Sequence, residues 1–286
     1  MSETGKNNKK LAVILFNLGG PDNLDNVRPF LYNLFSDKWI IRLPYLLRKM
    51  IAFIISTRRY KLAQENYKLM GGKTPLLEET NKQKTALEKE LSSQIRDFRI
   101  FVAMRYWHPM SERVAKEVME YNPDEIIYLP LYPQLSSSTT ISSFEEFDKC
   151  ISAENFSGII KKIGCYFNEE NFINSHIKLI KEKLKNFSEN ERVRILFSAH
   201  GIPEKYVEQG DPYQWQVKNT VEAICRDKEI SKYENILCYQ SRVGPIKWLT
   251  PNTEDEVERA AKENVNLVVV PVAFVSEHIE TLVELD

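Results

Sequence analysis

Val193-Arg194-Ile195-Leu196-Phe197-Ser198-Ala199-His200-Gly201-Ile202-Pro203 is an apolar run that ends in a histidine and a sharp exit turn. Val193 to Phe197 reads as a buried strand. A second run, Val265 to Phe274, leads in the same way into Val275-Ser276-Glu277-His278-Ile279-Glu280-Thr281-Leu282. Continuous apolar runs between helical stretches belong to parallel strands covered on both faces. Doubly wound sheets bind ligands just beyond the C-terminal ends of their strands. The two segments therefore bring a histidine and an acid-bearing helix to one crevice. That arrangement suits a metal passing between carboxylate and imidazole groups.

Working outward, the same alternation recurs. Leu11 to Leu18 reads as a buried strand, broken by Gly19-Gly20-Pro21-Asp22, and Leu24 to Phe35 has helical spacing. Helices are expected over Lys82–Ile95, Ser111–Tyr121, Glu169–Asn186, Gln214–Ile224 and Thr253–Glu263. Strands are expected over Phe98–Met104, Glu125–Leu131 and Asn235–Tyr239. Repeated βα units imply an α/β chain with parallel sheets flanked by helices. The serine-rich stretch Ser136 to Ser157 suggests a boundary between two Rossmann-like domains, residues 1–157 and 158–286.

Of the 286 residues, 43% are hydrophobic, enough for a sizeable core. A net charge of -1 gives no global field to attract nucleic acid. The four cysteines, Cys150, Cys165, Cys225 and Cys238, form no CxxC spacing, and no apolar leader precedes the first strand. A reduced, cytoplasmic compartment is the expectation. No apolar run reaches the ~18 residues of a membrane span.

Several strand ends carry candidate chemistry. His200 accepts a proton or binds a metal there, or hydrogen-bonds a backbone group. Ser276 suits an N-cap, and Glu277, Glu280 and Glu284 then share one face of the following helix. That face is either an ordinary acidic helix start or a ridge that hands on a hydrated cation. Arg105-Tyr106-Trp107-His108-Pro109 offers a guanidinium for a carboxylate, or aromatic packing. Ser136 to Thr140 offers hydroxyls to an anion, or a polar loop. Gly19-Gly20-Pro21 lacks the GxGxxG pattern of dinucleotide sites. Trp39 to Thr57 mixes bulky apolar residues with Arg42, Arg48 and Lys49, followed by Arg58 and Arg59. It reads as a basic amphipathic segment for a membrane surface or apolar ligand, or as a buried helix with basic ends.

Taken in order, these pieces resemble the ferrochelatases. They are Asn17-Leu18-Gly19-Gly20-Pro21, Arg105-Tyr106-Trp107-His108-Pro109, Tyr132-Pro133-Gln134 and the hydroxyl run after it. Ser198-Ala199-His200-Gly201-Ile202-Pro203, Tyr239-Gln240-Ser241-Arg242-Val243-Gly244 with Trp248, and Ser276 to Leu282 complete the set. The resemblance implies two Rossmann-type domains with a porphyrin cleft between them. It implies insertion of Fe(II) into protoporphyrin IX to give haem, with His200 and Glu280 handling metal and protons. It makes Glu277 and Glu284 accessory acids, and Leu18, Arg105, Tyr106, Ser137, Trp248 and His278 porphyrin contacts. Coproporphyrin or another tetrapyrrole as substrate, or binding without turnover, are the alternatives. Iron enters as substrate, so no tightly bound cofactor is expected, and no iron–sulfur cluster. The apolar lip implies peripheral contact with the inner face of a membrane. The resemblance also implies further helices beyond Asp286 in relatives, so the chain is expected to be short for the family.

Overall fold

The computed structural model describes residues 9–188, 190–242 and 244–277. The first sheet is built from β1 (Leu11–Asn17), β2 (Phe98–Met104), β3 (Glu125–Pro130) and β4 (Ile159–Lys162). All pairings are parallel, in the order β2-β1-β3-β4. The second sheet is also parallel, β6-β5-β7, from β5 (Val193–His200), β6 (Glu234–Gln240) and β7 (Asn266–Pro271). The expected class is therefore the observed one.

Strand β1 is buried along its whole length because both of its faces are covered. Its Ala12, Ile14 and Phe16 pack on α4 (Ser111–Tyr121) and α5 (Ser142–Ala153). Its Leu11, Val13 and Leu15 meet Leu77, Leu87 and Leu91 of α3 (Leu76–Ser92). Phe16 lies edge-on to Tyr128, Phe144 and Phe147, with ring centroids 5.1, 5.4 and 5.3 Å away. In the second sheet, Ile195 and Phe197 pack with α6 (Glu170–Leu184) and α8 (Tyr213–Cys225). A short helix α7 (Glu204–Glu208) leaves the end of β5, and α9 (Thr253–Glu263) precedes β7.

Three sequence expectations change. Strand β4 lies past the expected division after residue 157, yet it pairs with β3, so the first sheet continues to Lys162. The serine-rich stretch is largely the helix α5, whose Phe144, Phe147 and Ile151 are buried. The apolar stretch beginning at Trp39 turns helical only at Tyr45, after Pro44, and α2 then runs on to Leu69. Proline fixes its own φ and has no N–H to give, so it suits a helix start. Residues 36–44 form a loop between α1 (Val27–Phe35) and α2.

The sheets are tied together where β3 ends. Gln134 donates to Thr220 Oγ1 at 3.2 Å and to the Val272 carbonyl at 3.3 Å. The Leu135 N–H donates to Gln216 Oε1 at 2.7 Å. Gln83 of α3 donates to the Val275 carbonyl, so the segment after β7 lies against the first unit.

Candidate functional site

Parallel strands aim their C-terminal ends the same way, and the expected site residues sit at such ends. Leu18 follows β1, Arg105 and Tyr106 follow β2, Ser137 lies beyond β3, and His200 closes β5. Strand β5 is central in its sheet. His200 is in register with Gln240 of β6, and the Ser198 carbonyl accepts from the Val272 N–H just past β7 at 3.0 Å. The segment 272–277 thus leaves the sheet beside the strand that carries His200. His278, Glu280 and Glu284 lie outside the described residues, and Glu277 is exposed at their edge.

The turn after His200 is held on both sides. The Gly201 N–H donates to the Gln240 carbonyl at 2.8 Å, and the Leu249 N–H donates to Ile202 O at 3.1 Å. Pro203 bridges to Trp248, so Trp248 lies beside the turn that follows His200. A Cβ on Gly201 would sit 2.9 Å from the Gln240 oxygen and 3.4 Å from Trp248 Cε3. Gly201→Ala is therefore expected to cost about 1–3 kcal/mol through overpacking. It should also shift the turn that follows His200. A denaturation midpoint equal to the parent's would remove the close-approach argument. Gly19 is required for a second reason as well. Its φ is +80°, and a Cβ there would meet the Trp107 nitrogen at 3.1 Å.

Arg105 and Tyr106 are spoken for by a residue that sequence reading missed. Asp37 is buried, and its Oδ2 accepts from Tyr106 OH at 2.7 Å and Arg105 at 3.1 Å. Ser142 Oγ donates to the same oxygen, and Arg105 Nε donates to Ser142 Oγ at 2.7 Å. Asp37 Oδ1 takes the Trp39 N–H at 2.9 Å, which shapes the loop entering the lip. Burial and the Asp37 charge hold the Tyr106 hydroxyl well above its usual range. Tyr106 is 1% exposed, so it presents no open face to a ligand. Its hydroxyl and Arg105 instead meet on the one Asp37 oxygen.

Ser137 is also engaged. Asp211 Oδ2 accepts from its hydroxyl at 2.6 Å, from its N–H at 2.8 Å and from Ser136 at 3.0 Å. Arg42 donates to Ser137 Oγ at 2.8 Å, so this hydroxyl joins both units and the lip. The hydroxyl run itself makes a π turn, Ser137–Ile141. Leu18 is half-buried and packs between Phe30, Tyr106 and the first core.

The basic residues of the lip divide into two kinds. Arg48 donates to the Ser36 carbonyl at 2.9 Å and the Leu43 carbonyl at 2.8 Å, so it closes the loop rather than facing outward. Arg58 and Arg59 are exposed on α2. Leu46 is 81% exposed and Phe53 54%, with Tyr45, Met50 and Ile54 also open. A contiguous apolar face of this kind is unusual on a monomer surface.

A furrow of about 960 Å³ lies away from His200, along the outer edge of β2 between α3 and α4. Its lining mixes Lys84, Arg99 and Arg113 with Glu88 and Glu117, and it includes none of the expected site residues. Among the described residues no three His, Cys, Asp or Glu side chains are grouped to hold a metal.

Comparison with known proteins gives a consistent result. The sequence model of the ferrochelatase family, "Ferrochelatase", matches residues 10–286. A ferrochelatase of Rickettsia bellii is 54% identical over 281 residues, 98% of this chain and 77% of its own length. That of Rickettsia prowazekii is 52% identical over 282 residues, covering 98% of this chain and 80% of its own. That of Caulobacter vibrioides is 48% identical over 280 residues, covering 97% and 80%.

Proposed function

The chain belongs to the ferrochelatase family, and from that premise we propose a working site for it. The reaction is insertion of ferrous iron into a porphyrin, a step of haem biosynthesis. We assign His200 as the residue at which metal and pyrrole protons are exchanged, and protoporphyrin IX as the porphyrin. The observation that carries this is the place of His200, at the C-terminal end of the central strand β5 and beside the exit of β7. That exit leads directly into Ser276 and Glu277 and then the acids Glu280 and Glu284.

Metallation requires two N–H protons to leave as iron enters the ring. A neutral imidazole accepts one such proton, or ligates the iron while a carboxylate does so. Glu280 is the acid assigned to work with His200. Glu277, His278 and Glu284 are assigned to iron delivery and proton removal, since hard cations prefer oxygen ligands. Trp248 flanks the His200 turn as the porphyrin-facing aromatic. Leu18 and Arg105 line the opposite wall, with Tyr106 and Asp37 holding Arg105. Iron is a substrate in this scheme, and no tightly bound cofactor is assigned.

The test is anaerobic mixing of the protein with Fe(II) and either protoporphyrin IX or coproporphyrin III, following porphyrin fluorescence and haem absorbance. Metallation of protoporphyrin above the protein-free rate is expected. Preference for coproporphyrin would move the substrate assignment, and binding without turnover of either would overturn the catalytic one.

Among the described residues no helix is long and apolar enough to cross a membrane. We propose that the exposed apolar face of α2 instead rests on a membrane surface, with Lys49, Arg58 and Arg59 beside anionic headgroups. Each such cation contributes about 1 kcal/mol near an anionic surface. Replacing all three by Gln is expected to weaken binding to phosphatidylserine vesicles by about two orders of magnitude at low salt. Equal binding by parent and variant would restrict these residues to folding.

A further inference from the structure

One cation of the lip makes contacts that the membrane and substrate assignments leave unused. Arg42 stands near the tip of the loop 36–44 and reaches across to the unit that carries His200. Its guanidinium lies 3.7 Å from the centroid of the Tyr206 ring, with Trp39 on the same group at 5.6 Å. It donates to Gln209 Oε1 and to Ser137 Oγ. Tyr206 OH in turn donates to the Ile40 carbonyl at 3.0 Å, so loop and helix grip each other in both directions. Ser137 is no loose partner, because Asp211 fixes it through two hydrogen bonds.

The two ends of the loop differ in kind. Its root is Asp37, buried and bound to Arg105, Tyr106 and Ser142. Separating a buried charge from its partners is costly, so the root stays closed. Its tip is the exposed Arg42, whose partners named above are an amide oxygen, a hydroxyl and two rings, all neutral. Opening the tip strands no buried carboxylate, and both freed faces gain water. Stacking of a guanidinium at an exposed site is worth about 0.5–1 kcal/mol, and a typical hydrogen bond about as much. The tip is thus shut most of the time and opens cheaply. Two of its four partners, Tyr206 and Gln209, lie within nine residues of His200 along the chain that leaves β5.

We propose that Arg42 is a positioning residue that sets the aperture of the porphyrin cleft by clamping the lip to α7. It acts on passage of the macrocycle to His200 and not on the metallation step. The proposal rests on the ferrochelatase reading for its ligand, and its test separates the two.

The experiment measures stopped-flow binding and release of metal-free protoporphyrin by fluorescence, with single-turnover metallation by Fe(II) as a second readout. Arg42→Ala is expected to raise the association and dissociation rate constants together, each about three- to tenfold. The single-turnover rate at saturating porphyrin should not change. Tyr206→Ala should do the same, and the double variant should add nothing further, since both remove one clamp. Arg42→Lys should restore less than half of the effect, because an ammonium lacks the planar face. Tyr206→Phe, which keeps the ring and removes the hydroxyl with its bond to Ile40, covers the case in which a larger change disturbs folding. Unchanged rates in Arg42→Ala and Tyr206→Phe, or strictly additive effects, would overturn the clamp. A protein that binds porphyrin but never metallates it would overturn the catalytic reading while the binding rates still decide the clamp.

Discussion

His200→Ala is expected to reduce metallation by a factor of about 10²–10⁴, the range over which a positioned general base acts. The side chain is only half-buried, at the end of a strand whose core contacts come from Ile195, Phe197 and Ala199. Truncation should therefore leave the melting temperature nearly unchanged, as surface substitutions usually do. Porphyrin binding, followed by fluorescence quenching, should persist because Trp248 and the opposite wall remain. A variant that metallates at the parent rate would sink the assignment. A variant that loses porphyrin binding instead would make His200 part of the wall and not of the chemistry.

Asp37→Ala is expected to destabilise the fold by about 3–5 kcal/mol, the cost of leaving a buried charge and its donors without their partner. For a chain of this size that corresponds to a fall in melting temperature of about 10 °C. Three donors lose one acceptor oxygen together, and Tyr106 has no exposure through which water would replace it. Asp37→Asn keeps the shape and one carbonyl oxygen, so it should recover part of the loss. Thermal melts of the two variants check the order. If Asn proves as harmful as Ala, the charge matters more than the acceptor, and equal melts for all three proteins would refute the network as a support.

Much of the fold was legible because its strands are buried on both faces. Phe98–Met104 and Ser111–Tyr121 have the bounds that pattern alone predicts. The failures have separate causes. Strand β4 is an edge strand of four mostly exposed residues, Ile159–Lys162, so burial wrote no apolar run there. Helix α5 was hidden by serines, although Phe144, Phe147 and Ile151 already stood at helical spacing. The strand-end motifs put His200, Arg105 and Ser137 at or beyond strand ends, where the fold has them, because each closes or follows an apolar run. Asp37 carried no such mark, since its partners lie 68, 69 and 105 residues away and only folding brings them together. The same holds for Asp211 under Ser137 and for the Tyr206 face under Arg42.

The bonds from Gln134, Leu135 and Ser137 to Thr220, Gln216 and Asp211 have a thermodynamic consequence. Two sheets joined only by a linker would denature as two independent steps. Here the loop leaving β3 lodges its backbone and amide groups in the second unit, so melting either sheet exposes unsatisfied polar groups of the other. Such coupling is expected to draw the two sheets toward a single transition, which melts followed by several probes would show as coincident curves. Amides at this junction are then expected to exchange with solvent more slowly than those of fraying ends. A cut between the sheets would leave each fragment without the hydrogen-bond partners that the other supplies here.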